Sequence, residues 1–233
     1  MRAAMRYGLW VALLMSGCAT APAPRTTCPE PARERAAPER EAPSFEVLDG
    51  AAVDLARAFD RRLTVWTRPD GTRVHVEHCR QAPGGCRARI AAMSRILAEA
   101  ADAHGLDPFL LGAIAMRESA INPEAIGAAG EAGVMQLHPR GLGHDVRFVQ
   151  DASYRERCLQ RADGCQGPVV RYAASRLAEA TERCGDLETA LGLYNGGRCT
   201  PKTRYVEHIR AERARLRAHA SEGAGGGELA TAP

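Results

Sequence analysis

The chain has 233 residues, with 31 Lys and Arg against 28 Asp and Glu and a formal net charge of +3. So weak a charge excludes strong polyanion binding as the default, and no nucleic-acid partner is expected. No apolar run is long enough to cross a bilayer as a helix.

The first residues are laid out as an export signal: Arg2 and Arg6, an apolar run over residues 9–15, then Ser16, Gly17 and Cys18. Small residues directly before a cysteine resemble a bacterial lipobox, with Met15 where that motif usually has Leu. The resemblance implies cleavage before Cys18 and acylation of its thiol, giving a membrane partner through an N-terminal lipid anchor. Ala19 after the cysteine points, by resemblance to enteric lipoproteins, to the periplasm and the inner leaflet of the outer membrane. The alternative is an ordinary signal peptide cleaved near Ala19 or Ala21. Residues 1–17 are thus assigned to a lipoprotein signal peptide. Residues 18–44, rich in Pro, Ala, Arg and Glu without apolar periodicity, are assigned to a disordered tether. Residues 220–233 are read as a disordered Gly- and Ala-rich tail, and residues 45–219 as one domain with an extension at 45–86 and a core at 87–219.

In chain order, apolar residues at helical spacing predict a helix over 53–63. Residues 64–77 alternate around Arg68-Pro69-Asp70-Gly71 and predict a small hairpin, the one strand signal in the chain. Ile90, Met93, Ile96, Leu97 and Ala100 predict a helix over 87–104, with Gly105 at its C-terminal cap. Asp107 and Pro108 supply an N-cap and a first-turn proline for an apolar helix ending at Glu118. Further helices are predicted over 169–183, over 187–194 capped by Asp186, and over 202–219 with Thr200 as cap and Pro201 at the first position. The domain is therefore expected to be mainly α, with a small β-hairpin near its N-terminus.

Apart from Cys18, six cysteines fall into close pairs: Cys79 with Cys86, Cys158 with Cys165, and Cys184 with Cys199. In an exported chain, without C-x-x-C spacing, this favours disulfides over zinc or a redox centre. Six cysteines allow about 15 pairings. The nearest-neighbour set is chosen because each pair brackets a Gly- or Pro-containing turn or a short helix, and Cys28 is left over. The histidines form no helical i, i+4 pair, so no metal is expected.

The segment after Glu118 is unusual: Ser119, Asn122 and Pro123 follow the acid, then Gly127, Gly130 and Gly133, then Met135-Gln136. Glycines let backbone approach a ligand closely. A carboxyl at the edge of an apolar helix is partly desolvated, which raises its pKa and lets it donate a proton near neutrality. Composition alone nevertheless favours a solvated helix-end glutamate beside a flexible loop.

Glu118-Ser119-Ala120-Ile121-Asn122-Pro123, Gly130, Gly133 and Val134-Met135-Gln136-Leu137-His138-Pro139 resemble the E-S-x-x-N-P and G-x-x-G-L-M-Q-x-x-P motifs of the soluble lytic transglycosylase domain. Leu193-Tyr194-Asn195-Gly196-Gly197 is similar to that family's A-Y-N-A-G, and Tyr205-Val206 with Ile209 to its Y-V-x-x-I. The resemblance covers about residues 91–216. It implies a helical domain like goose-type lysozyme, with a groove for peptidoglycan glycan strands, no cofactor, and a monomer. In it Glu118 protonates the oxygen linking N-acetylmuramic acid to N-acetylglucosamine. The same group then takes the proton of the muramyl C6 hydroxyl as a 1,6-anhydro ring closes. Gln136 is expected to hydrogen-bond sugar, Met135 to line the groove, Tyr194 to place its hydroxyl near Glu118, and Asn195 to brace its loop.

Two positions depart from the family. Gly127 stands where it usually has serine, and Glu131 where it has a small residue. Glu131 keeps open a lysozyme-like hydrolase with two carboxylates, for which Asp145 and Asp151 are further candidates. A non-catalytic glycan-binding lipoprotein is the other alternative. The segment around Cys158 and Cys165 is expected to form a clasp over one end of the groove.

Overall fold

The computed structural model describes Leu48 and residues 50–224. Cys18, Cys28, the signal peptide and the whole of the tether lie outside them. The first helix, α1 (Gly50–Arg62), leads into β1 (Thr64–Thr67) and β2 (Arg73–His75), an antiparallel pair. Asp60 of α1 accepts from His75 Nε2 at 2.7 Å and pairs with Arg73, fixing the hairpin to the helix that precedes it. Next come the one-turn α2 (Glu77–Arg80), α3 (Gly85–Ala103) and α4 (Pro108–Ser119). The Cys79–Cys86 disulfide joins α2 to α3.

Helix α4 is the centre of the domain. Its residues from Leu110 to Met116 are all buried, as expected of a helix apolar on every side. Asp107 accepts from Phe109 N at 3.1 Å, so the N-cap read from the sequence forms. Helices α1 and α3 pack on α4, and so does α9 (Thr203–Ala224). Gly112 makes the close approach possible, since a Cβ there would lie 2.9 Å from Leu55 Cδ2 and 3.4 Å from Leu216 Cδ1.

Beyond α4 a long loop carries two short helices, α5 (Arg147–Gln150) and α6 (Ala152–Cys158), neither of which periodicity marks. Then follow α7 (Gln166–Cys184) and α8 (Leu187–Gly196), the latter capped by Asp186 through Glu188 N and Thr189 N. The remaining disulfides are Cys158–Cys165, between the end of α6 and the start of α7, and Cys184–Cys199, between the end of α7 and the loop after α8.

Two expectations about the last helix need correction. It begins at Thr203, so Thr200 and Pro201 belong to the preceding loop and do not cap it. It also runs past residue 219 to Ala224, because Ala220 is buried and Glu222 pairs with Arg61 of α1. Residues 220–224, assigned above to the tail, thus belong to α9. Arg213 and Arg217 of this helix both pair with Asp107 at the start of α4.

Candidate active site

Glu118 is the penultimate residue of α4, where a buried helix meets a cleft of about 760 Å³. The helix stops because Ala120 and Ile121 both take left-handed backbone, at φ 53° and 56°. Neither is glycine, and such conformations persist only where surroundings enforce them. Ser119 and Asn122 do the enforcing. The Ser119 hydroxyl donates to Val134 O at 2.9 Å and accepts from Asn122 N at 3.1 Å. The Asn122 side chain accepts from Glu124 N at 3.1 Å. These two motif residues thus hold the turn that carries the acid.

The glycine-rich segment is folded back on itself through isolated bridges Ile126 to Ala132 and Ala132 to Leu137. Gln166, fully buried at the start of α7, accepts from Val134 N at 3.0 Å and supports the loop from behind. A Cβ on Gly133 would lie 2.7 Å from that Gln166 oxygen, which explains the glycine. Gln136 also has left-handed backbone, φ 44°, and its Nε2 donates to Ala125 O and Gly133 O, both at 2.9 Å. Both amide hydrogens are thereby used, and the side-chain carbonyl remains as an acceptor.

The cleft is lined by Glu118, Gly127, Glu131, Met135, Gln136, Tyr194 and Asn195, so the structure brings these sequence-derived positions together. Met135 contributes to its floor although almost wholly buried. Asn195 accepts from Lys202 Nζ at 3.2 Å. Asp145 reaches the cleft rim but is highly exposed and bound to His144. Asp151 caps α6 through Tyr154 N at 2.8 Å. Residues 158–165 do not line the cleft. The expected clasp is instead a buttress, with Gly164 packed against Pro123 and its carbonyl accepting from Gln166 Nε2.

Tyr194 lines the cleft with the acid, but the tyrosine hydrogen-bonded to it is another. Tyr205 of α9 donates to Glu118 Oε1 at 2.8 Å, whereas the Tyr194 hydroxyl points to Met135 O at 3.4 Å. Burial raises the Glu118 pKa, the Tyr205 hydrogen bond and the Arg117 charge pull it down, and the Glu131 charge pushes it up; the balance is a rise. Both tyrosines are pushed far above the ordinary phenol range, chiefly by burial and then by the Glu118 charge, so their hydroxyls stay protonated. Tyr205→Phe is therefore expected to shift the alkaline limb of kcat/KM to higher pH, because the bond that favours the carboxylate is gone. Rate at the optimum should fall by about tenfold, the scale of one hydrogen bond to a charged group. An alkaline limb that stays in place would remove Tyr205 from this role.

Arg89 escaped the sequence reading. It is wholly buried in α3, and its guanidinium donates to His78 O at 2.7 Å and Glu124 at 2.8 Å. It ties the N-terminal extension to the turn after the acid. An arginine one helical turn before Met93, on the apolar face, was the available signal.

A mainly helical, lysozyme-like domain that aims a half-buried, protonatable acid into an open cleft defines a class of glycan-cleaving proteins. The transglycosylase SLT domain family matches residues 95–213, more than half of the chain, and the chain belongs to that family. Membership implies a transglycosylase-type enzyme with peptidoglycan as its substrate. No curated protein matches the chain. No described helix is long and apolar enough to cross a membrane.

Proposed function

We propose that this enzyme is a lytic transglycosylase that cleaves the bond from N-acetylmuramic acid to N-acetylglucosamine and leaves 1,6-anhydro-muramyl ends. The observation that carries this reading is a single acid of raised pKa at the cleft, held by a tyrosine that cannot itself ionise near neutrality. Protonated Glu118 donates its proton to the glycosidic oxygen as the bond from that oxygen to the muramyl C1 breaks. The substrate's own acetamido group stabilises the positive charge left at C1. The Glu118 carboxylate then accepts the C6 hydroxyl proton while O6 bonds to C1, and the acid is regenerated without water. Gln136 supplies a carbonyl acceptor for the sugar, Met135 the floor, and Asn195 a braced wall.

Glu131 supports a second reading. It lines the same cleft and its charge is felt by Glu118, so a lysozyme-like hydrolysis with Glu131 activating water has a carboxylate to use. Mass spectrometry of digested peptidoglycan separates the two, since anhydro ends are one water lighter than reducing ends. Anhydro ends are expected; reducing ends alone would sink the transglycosylase reading in favour of hydrolysis.

The site of action proposed is the periplasm, with the monomeric enzyme held at the outer membrane by acyl chains on Cys18. Each buried methylene contributes roughly 0.8 kcal/mol, so several chains suffice to anchor it. Cells fed labelled palmitate should label the wild-type chain and not Cys18→Ser; equal labelling would place any acylation elsewhere.

A further inference from the structure

Gly127 and Glu131 are complementary in space. A Cβ built on Gly127 would collide with Glu131 Oε2 and would lie 3.1 Å from Gln136 Oε1. The carboxylate thus stands where a side chain at 127 would begin. It is held there by its own loop: Ala129 N donates to Glu131 Oε2 at 3.0 Å, and Gly127 N donates to Glu131 O at 2.8 Å. Gln136 has spent both amide hydrogens on Ala125 O and Gly133 O, so it too presents only an acceptor. Gly127, Glu131 and Gln136 all line the cleft that receives Glu118.

We propose that Glu131 is a specificity-determining residue: with the Gln136 carbonyl it accepts hydrogen bonds from a donor substituent of the bound sugar, in the space that glycine leaves at 127. This rests on the glycan substrate proposed above. Hydrogen bonding decides the ligand chemistry. Two acceptors a few ångströms apart, one of them charged, match an O–H or N–H donor and leave another carbonyl or carboxylate unmatched. Sugars of the wall offer hydroxyls, an acetamido N–H and, after de-N-acetylation, an ammonium.

The test uses the full chain and two sets of glycan strands stripped of peptide, one fully acetylated and one chemically de-N-acetylated. Binding is read by calorimetry on the Glu118→Gln background, and turnover on the wild-type background. Glu131→Gln keeps the size of the side chain but exchanges one acceptor for a donor. It is expected to weaken binding by about tenfold or more and to raise KM similarly. A greater loss on acetylated strands assigns the amide, a greater loss on de-N-acetylated strands the ammonium, and an equal loss on both a hydroxyl. Gly127→Ser adds the second readout. It should impair an enzyme that has Glu131, because the new side chain meets that carboxylate, yet improve binding when combined with Glu131→Ala. Unchanged binding of both glycans by Glu131→Gln overturns the proposal, as does a Gly127→Ser effect that is the same with Glu131 and with alanine. If binding depends on Glu131 but the wild type cleaves neither glycan, the proposed activity falls and this assignment stands.

Discussion

Glu118→Gln is expected to abolish cleavage of peptidoglycan while leaving the domain folded. Positioned proton transfer contributes about 10²- to 10⁴-fold, and here one group both gives and takes the proton, so a loss of at least about 10³-fold in kcat is expected. Glutamine preserves the oxygen that accepts from Tyr205, so binding of glycan should persist. Stability supplies an independent check. Burial raises the folded-state pKa of Glu118 above its ordinary value, so folding is favoured most below the unfolded-state pKa, and that advantage fades as pH rises through the folded-state value. The variant carries no such group. Its Tm should exceed that of the wild type at neutral pH, and the gap should close in acid, where the wild-type carboxyl is protonated. In the wild type, kcat/KM should decline as pH rises through the same raised pKa. Substantial cleavage by Glu118→Gln would remove this residue from the chemistry and leave a glycan-binding role for the fold.

Gly192→Ala is expected to destabilise the domain, although alanine is ordinarily the better helix residue by about 1 kcal/mol. Gly192 lies inside α8, and a Cβ there would collide with the Thr200 carbonyl and lie 3.3 Å from Arg198 O. Both obstacles are backbone. Neither can swing away, because the Cys184–Cys199 disulfide pins that loop to the end of α7. Overpacking of this kind costs about 1 to 3 kcal/mol, which lowers Tm by several degrees in a domain of this size. Two residues later α8 carries Tyr194, so a shifted helix should also reduce turnover. Gly167→Ala is the matched control: within α7 its nearest neighbour is the mobile end of Arg171 at 3.3 Å, and a small gain in Tm is expected. A Gly192→Ala protein as stable as wild type would show that the loop yields.

Much of this fold is legible locally. Asp107-Pro108 and Asp186 start their helices as read, since a cap involves only neighbouring backbone. The unbroken apolar run of α4 marks its burial, and the disulfides join the nearest cysteines. The short α2, α5 and α6 leave no periodic signal because one or two turns are too few to show a period. Thr200 and Pro201 formed a plausible helix start, yet the disulfide at Cys199 and the close passage of Thr200 over Gly192 keep that stretch a loop.

The site divides along the same line. The sequence by itself determined that an acid ends the central helix and that Ser119, Asn122, the glycines and Gln136 follow it. These residues act within one short stretch of chain, through turns and backbone bonds whose geometry is local. Which hydroxyl reaches Glu118 was decided only by tertiary structure. Tyr205 is 87 residues away in sequence, and no local pattern distinguishes it from Tyr194; the packing of α9 on α4 does. The same holds for Glu131 and Gly127. Each alone is a departure from a motif, but the folded loop brings the carboxylate of one into the space left by the other, because a bent chain must share volume that a linear sequence does not describe.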